Sequence, residues 1–153
     1  MYWIQPDLNE VKDGLESWNW IDFSGLVPFA VTAFGDVFFE GKGGVHFLDK
    51  VAGELEEICK SKGELEEILK TEEGRDHFLM AGLVELANEI GLTLENDECY
   101  EFNIPPMLNG AMDLDNLGKM SFKVSLHVTG QLIGQVRELP EGTPITEVKL
   151  EGS

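Results

Sequence analysis

Basic residues, cysteine and proline are all scarce in this 153-residue chain, and each scarcity excludes something. Only 11 Lys and Arg stand against 29 Asp and Glu, a formal charge of −18. A surface of that mean potential repels phosphate polyanions and anionic lipid headgroups, so neither nucleic acid nor a membrane is expected as a partner. The 2 cysteines, Cys59 and Cys99, form no CxxC pair and cannot build a disulfide framework, so both read as reduced thiols of a cytoplasmic protein. His46, His77 and His127 lack the close spacing of zinc ligands, and no metal or other cofactor is expected. No apolar run reaches membrane-spanning length, and the segment Met1 to Asp7 lacks the basic flank and apolar stretch of a signal peptide. With 6 prolines, 17 glycines and 42% hydrophobic residues, the composition is that of an ordinary globular chain, expected to form a single domain over residues 1–153.

Periodicity divides the chain into a strand-rich half over about 20–60, a helical and loop half over about 62–139, and a C-terminal tail over 140–153. Asp7 precedes Leu8, Val11, Leu15 and Trp18 at helical spacing, with Glu10 placed as in a capping box, which predicts a helix over 8–17. Apolar runs at 27–33, 36–39, 45–48 and 54–59, separated by turn glycines such as Gly35, Gly41, Gly44 and Gly53, predict an antiparallel meander. Helices are expected over 64–69 and, as one element, over 76–90, where Leu79, Leu83, Leu86 and Ile90 share a face and Gly91 is a natural stop. The prolines make 102–110 extended or looped; a strand-like alternation at 120–124 then turns helical near Ser125, with Pro140 as the stop. Residues 143–149 read as a closing strand or a tail. The fold class is α+β, an antiparallel β-meander packed against helices.

Two segments approach known ligand motifs and miss. Gly35 to Lys42 has the glycine and lysine of a phosphate-binding loop, but the spacing is off by one and Gly43 stands where Ser or Thr would bind magnesium, so a hairpin is expected. Asp113 to Gly118 opens like a calcium loop, yet Leu117 and Val124 occupy ligand positions, which leaves an acidic turn. No nucleophile motif is present, and adjacent acids such as Glu56-Glu57 read as a charged face. Trp3, Trp18 and Trp20 read as core or core-edge anchors, any exposed one being a natural interface residue.

The distribution of charge says more than any pair. Between Gly53 and Glu101 there are 15 acidic residues against Lys60, Lys62, Lys70 and Arg75, so more than half of the net charge falls in under a third of the chain. Such a concentration is either a solvated helical face or a docking surface for a basic protein. The candidate binding residues are Glu64, Glu66, Glu67, Glu72, Glu73 and Asp76.

The runs Leu26 to Phe39, Val45 to Asp49, Cys99 to Gly110 and His127 to Gln135 together resemble the C-terminal domain family of bacterial type VI secretion immunity proteins. Asn109 departs from the family, in which a glycine is usual. The resemblance implies a non-catalytic cytoplasmic protein that binds and neutralises a cognate toxin, with no catalytic residue to carry over. The acidic composition suits a toxin with a basic surface, such as a nuclease. The competing expectation is a small enzyme or ligand-binding domain with a pocket near Asp36, Tyr100 and His127.

Overall fold

A computed structural model describes residues 1–139. Its elements are β1 (Trp3–Ile4), α1 (Leu8–Leu15), β2 (Val27–Thr32), β3 (Val37–Gly41), β4 (Gly44–Asp49), β5 (Glu54–Cys59), α2 (Lys62–Leu69), α3 (Glu72–Leu79), α4 (Ala81–Glu89), β6 (Glu98–Phe102), β7 (Leu117–Ser121) and α5 (Phe122–Val136). Strands β1 to β5 form an antiparallel sheet in sequential order, and β6 pairs with β7 in a second, two-stranded sheet. The α+β class and the meander are as expected.

The meander follows from its turns. Residues Gly41 to Gly44 join β3 to β4 as a hairpin, and Gly44 takes φ +135, where a Cβ would lie 2.2 Å from the Cys59 carbonyl oxygen. Only glycine fits there. The central strands read as continuous apolar runs because the sheet is covered on both faces. Val31, Val37, Phe39 and Leu48 pack with Val11, Trp18, Leu126 and Ile133 of α1, its flank and α5. Phe38, Val45 and Phe47 face the opposite way, onto Leu65 and Leu79 of α2 and α3. A third cluster joins Phe34 to Val84 and Ala87 of α4 and to Tyr100, Phe102 and Leu117 of the small sheet.

Helices α1 and α5 approach closely. The Trp18 indole donates to the Leu126 carbonyl at 2.9 Å and Ser17 Oγ to that of His127 at 2.7 Å. A Cβ on Gly130 would stand 2.2 Å from Ser17 Oγ. Glycine at this position is what allows the contact.

Two boundaries and two strands differ from expectation. The helix expected over 76–90 is two: α3 begins earlier, capped by Thr71, and ends at Met80, whose φ 49 and ψ 45 are left-handed. The Asp76 carboxylate then accepts from Gly82 N at 3.0 Å, supporting the start of α4. Consequently Val84 and Ala87 are buried, while Leu86 and Ile90 are 48% and 64% exposed. The changeover expected near Ser125 comes at Ser121, where Phe122 N donates to Asp97 O and ends the ladder of β7. Strands β1 and β6 were not anticipated; β1 has only 2 residues and β6 lies between an acidic turn and prolines. The stop at Pro140 and the expected strand at 143–149 lie outside the described residues.

Candidate functional site

The acidic candidates sit on α2 and α3. Ser61 caps α2 by accepting from Glu64 N, and Thr71 caps α3 by accepting from Gly74 N. Each helix turns one apolar edge, Leu65 or Leu79, into the sheet. That orientation leaves Glu64, Glu66, Glu67, Glu72, Glu73 and Asp76 exposed. Glu72 and Glu73 lie in the first turn of α3, where the helix dipole favours negative charge. Glu67 pairs with Lys70 at 2.8 Å, a wholly exposed contact of little energetic weight. The six carboxylates therefore lie exposed on two consecutive helices.

The chemically dense part of the molecule lies elsewhere. Lys50, just beyond β4, is 3% exposed. Its Nζ donates to Glu101 Oε2 at 2.8 Å and to Ser125 Oγ at 2.5 Å, and lies 4.0 Å from Cys99 Sγ. Ser125 also donates to Glu101. Asp36 closes the cluster from below: its Oδ1 accepts from Lys50 N at 2.7 Å, and burial pushes its carboxyl up to about 7. Burial alone would lower Lys50, but its neighbours Cys99 and Glu101 outweigh this and hold the ammonium above its ordinary value. Burial likewise raises the Cys99 thiol, while Glu101 is the carboxylate bonded directly to Lys50.

A serine beside a lysine invites comparison with a nucleophile and its base. A lysine base must be neutral to take the serine proton, and here it is held charged. The adjoining cavity, lined by Lys50, Glu101, Pro106 and Met107 among others, has a volume of about 30 Å³, room for a water and not for a substrate. What the arrangement does is join β4, β6 and α5. Nothing in the sequence pointed to it, because its members come from positions 50, 101 and 125 and each looks ordinary alone.

The alternative pocket residues are placed apart. Asp36 is in that buried cluster. Tyr100, 1% exposed, packs on Phe34, donates its hydroxyl to Leu92 O at 2.7 Å and borders a groove of about 610 Å³ beside β1. His127, on α5, is 2.8 Å from Gln131 Nε2 and borders a different groove of about 410 Å³ with Ser17 and Glu16.

The loop from Phe102 to Asn116 is built around backbone geometry. Asn116 holds it shut, accepting from Ile104 N at 2.9 Å and donating to the Ile104 and Ala111 carbonyls at 2.8 Å each. Asn109 adopts φ 70 and ψ 20, the left-handed region that Asn tolerates better than other residues with a side chain. A residue with a side chain is therefore accommodated in this turn.

No helix of the described residues is long and apolar enough to cross a membrane. Residues 61–133 match the family model described as T6SS immunity protein Tdi1, C-terminal. The likeness to the C-terminal domain of type VI secretion immunity proteins is thus shown over this segment, just under half of the chain, and it supports a toxin-neutralising role. The segment runs from the cap of α2 to Ile133 in α5 and contains all six acidic candidates; the five-stranded sheet precedes it. No curated protein matches the chain.

Proposed function

We propose that the protein acts in the cytoplasm as a non-catalytic immunity protein, covering a basic surface of its cognate toxin, such as that of a nuclease, with the acidic face of α2 and α3. The observation that carries this reading is that the segment matching an immunity family also holds Glu64, Glu66, Glu67, Glu72, Glu73 and Asp76, all exposed on adjacent helices. A field of one sign over such a face accelerates encounter with a basic partner and orients it. The same field disfavours nucleic acid and anionic membranes as competitors, and the reading needs no cofactor.

The test is kinetic. Toxin candidates encoded in adjacent reading frames are purified and their association measured at low and high salt. Reversing Glu66, Glu67, Glu72 and Glu73 to Lys is expected to slow association at low salt and to flatten its salt dependence, since screening lengths fall to about 8 Å at physiological ionic strength. The fold should persist, because all four side chains are exposed and even reversal in the first turn of α3 costs no more than about 1 kcal/mol at each site. Equal rates for both proteins at low salt would return these residues to the role of a solvated face.

A further inference from the structure

Strand β5 ends the order of the five-stranded sheet, and the ladder fixes which of its backbone groups look outward. Thr32 N donates to Asp36 O at 2.9 Å, so Val31 and Val37, the next pair along, do not bond to each other. In an antiparallel sheet bonded and non-bonded pairs alternate, and a residue that does not bond to one neighbouring strand bonds to the other. Val37 therefore bonds to Leu48 of β4, and Gly41 and Gly44, which flank a two-residue turn, close the hairpin in the same phase. Phe47 and Asp49 then bond to Glu56 and Glu54 of β5. The N–H and C=O groups of Leu55 and Glu57 point away from the sheet, where no strand of the described residues pairs with them. Ile58 has no opposite residue on β4, and this bulge ends the regular stretch.

Side chains give that edge a sign. Cross-strand neighbours share a face, and Glu56 lies opposite Phe47, which packs onto Leu65 and Leu79. Glu56 and, two residues away, Glu54 are thus on the α2 and α3 side of the sheet, and both are exposed. Among the described residues neither has an ion-pair partner, and Lys60, the one base between Val51 and Ser61, is engaged by Glu57 at 3.1 Å. On the outer side Glu54 and Glu56 hold the non-hydrogen-bonded positions, where facing residues come closest, about 4.5 Å between Cα atoms.

A second copy of β5 laid along this edge would bring two sets of glutamates together, in chains that each carry a formal charge of −18. Like charges directly opposite are destabilising, so the edge rejects its own kind and suits a strand of the other sign. In an antiparallel partner the residues facing Glu54 and Glu56 are two apart and point to the same side.

We propose that β5 accepts, as a sixth strand, an extended segment of the toxin with basic residues at alternate positions, its backbone pairing with Leu55 and Glu57 and its cations meeting Glu54 and Glu56. Main-chain bonds then supply affinity, and alternate side chains supply selectivity. The proposal deepens the immunity reading and rests on it in naming the toxin as the source of the strand. Helices α2 and α3, on the same side of the sheet, continue the field that draws a basic partner in.

The probe is a capped heptapeptide of alternating lysine and threonine, titrated into the full chain and followed by backbone amide NMR and hydrogen exchange. Two controls share its length: one with glutamate in place of lysine, and one N-methylated at each threonine, which keeps its charge and loses the donors that face Leu55 and Glu57. In the free chain the Leu55 and Glu57 amides should exchange fast and those of Glu54 and Glu56 slowly. The peptide should slow the fast pair and bind about tenfold tighter than either control. Glu54→Gln with Glu56→Gln should weaken it severalfold, the spectrum of the free protein being otherwise unchanged. Equal binding of the N-methylated peptide would mean charge alone and overturn the proposal, as would shifts confined to α2 and α3 or no binding at millimolar peptide. Slow exchange at Leu55 and Glu57 in the free chain would show the edge already paired, with a second copy if it grows with protein concentration, and would overturn it too. Reversals on α2 and α3 that slow toxin association while the peptide fails would keep the immunity reading and remove the strand.

Discussion

Lys50 Nζ lies 2.8 Å from Glu101 Oε2, and through that pair the end of β4 is tied to the middle of β6, two strands of different sheets. Ser125 brings α5 into the same contact. A charge taken out of water is costly unless its partner stays, and this geometry keeps the partner at hydrogen-bond distance.

Removing one member should therefore hurt more than removing both. Lys50→Met leaves the Glu101 carboxylate uncompensated and is expected to cost about 3 kcal/mol in denaturant unfolding. Adding Glu101→Gln should recover much of the loss. An unchanged midpoint for Lys50→Met alone would show that the pair carries no weight.

Asp36 makes stability depend on pH. Its folded carboxyl is raised to about 7 from an ordinary 3.8, so between these values the native state holds a proton that the unfolded state has released. The contribution is complete below about pH 4 and is lost as pH rises through about 7. It is on the order of a few kcal/mol, at 1.4 kcal/mol for each unit. Asp36→Asn keeps an oxygen to accept from Lys50 N and should flatten the stability profile between pH 4 and 7. A profile as steep as the wild type would assign the slope to other groups.

Phe102 is 3% exposed and stacks on Phe34 at a centroid distance of 5.5 Å. Phe102→Ala is expected to lower unfolding free energy by about 3 to 5 kcal/mol. A melting temperature equal to that of the wild type would place the ring outside the core.

In the loop between β6 and β7 the two neighbours Asn109 and Gly110 should respond oppositely. Asn109→Gly suits the left-handed turn and should shift stability by less than about 1 kcal/mol. Gly110→Ala would drive a Cβ to 1.6 Å from the Ile104 carbonyl oxygen, and the loop must open to accept it. Thermal unfolding of the two variants side by side reads the difference, and similar losses for both would contradict it.

Much of the fold could be read from the chain. Asp7 capped α1 as its spacing implied, and the turn glycines marked the four longer strands of the meander. Legibility failed where tertiary contacts overrode a local pattern. Leu79, Leu83, Leu86 and Ile90 make a convincing helical stripe, yet a left-handed Met80 rotates α4 so that Val84 and Ala87 face inward instead. The two-residue β1 exists only because β2 offers it an edge. The six acidic candidates were visible as a run, and their exposure follows from the caps and from Leu65 and Leu79. The buried Lys50 cluster had no local signature, since its partners lie 51 and 75 residues away.

The seat of Trp18 against Leu126 sets the order in which the protein can be made. Helix α1 leaves the ribosome early, while the carbonyl that receives its indole is 108 residues further on. Closing so distant a contact waits on nearly the whole chain and is slow compared with forming the hairpins. During synthesis the meander strands can cover part of Val11 and Trp18, but the side of that cluster supplied by Leu126 and Ile133 stays open until α5 emerges.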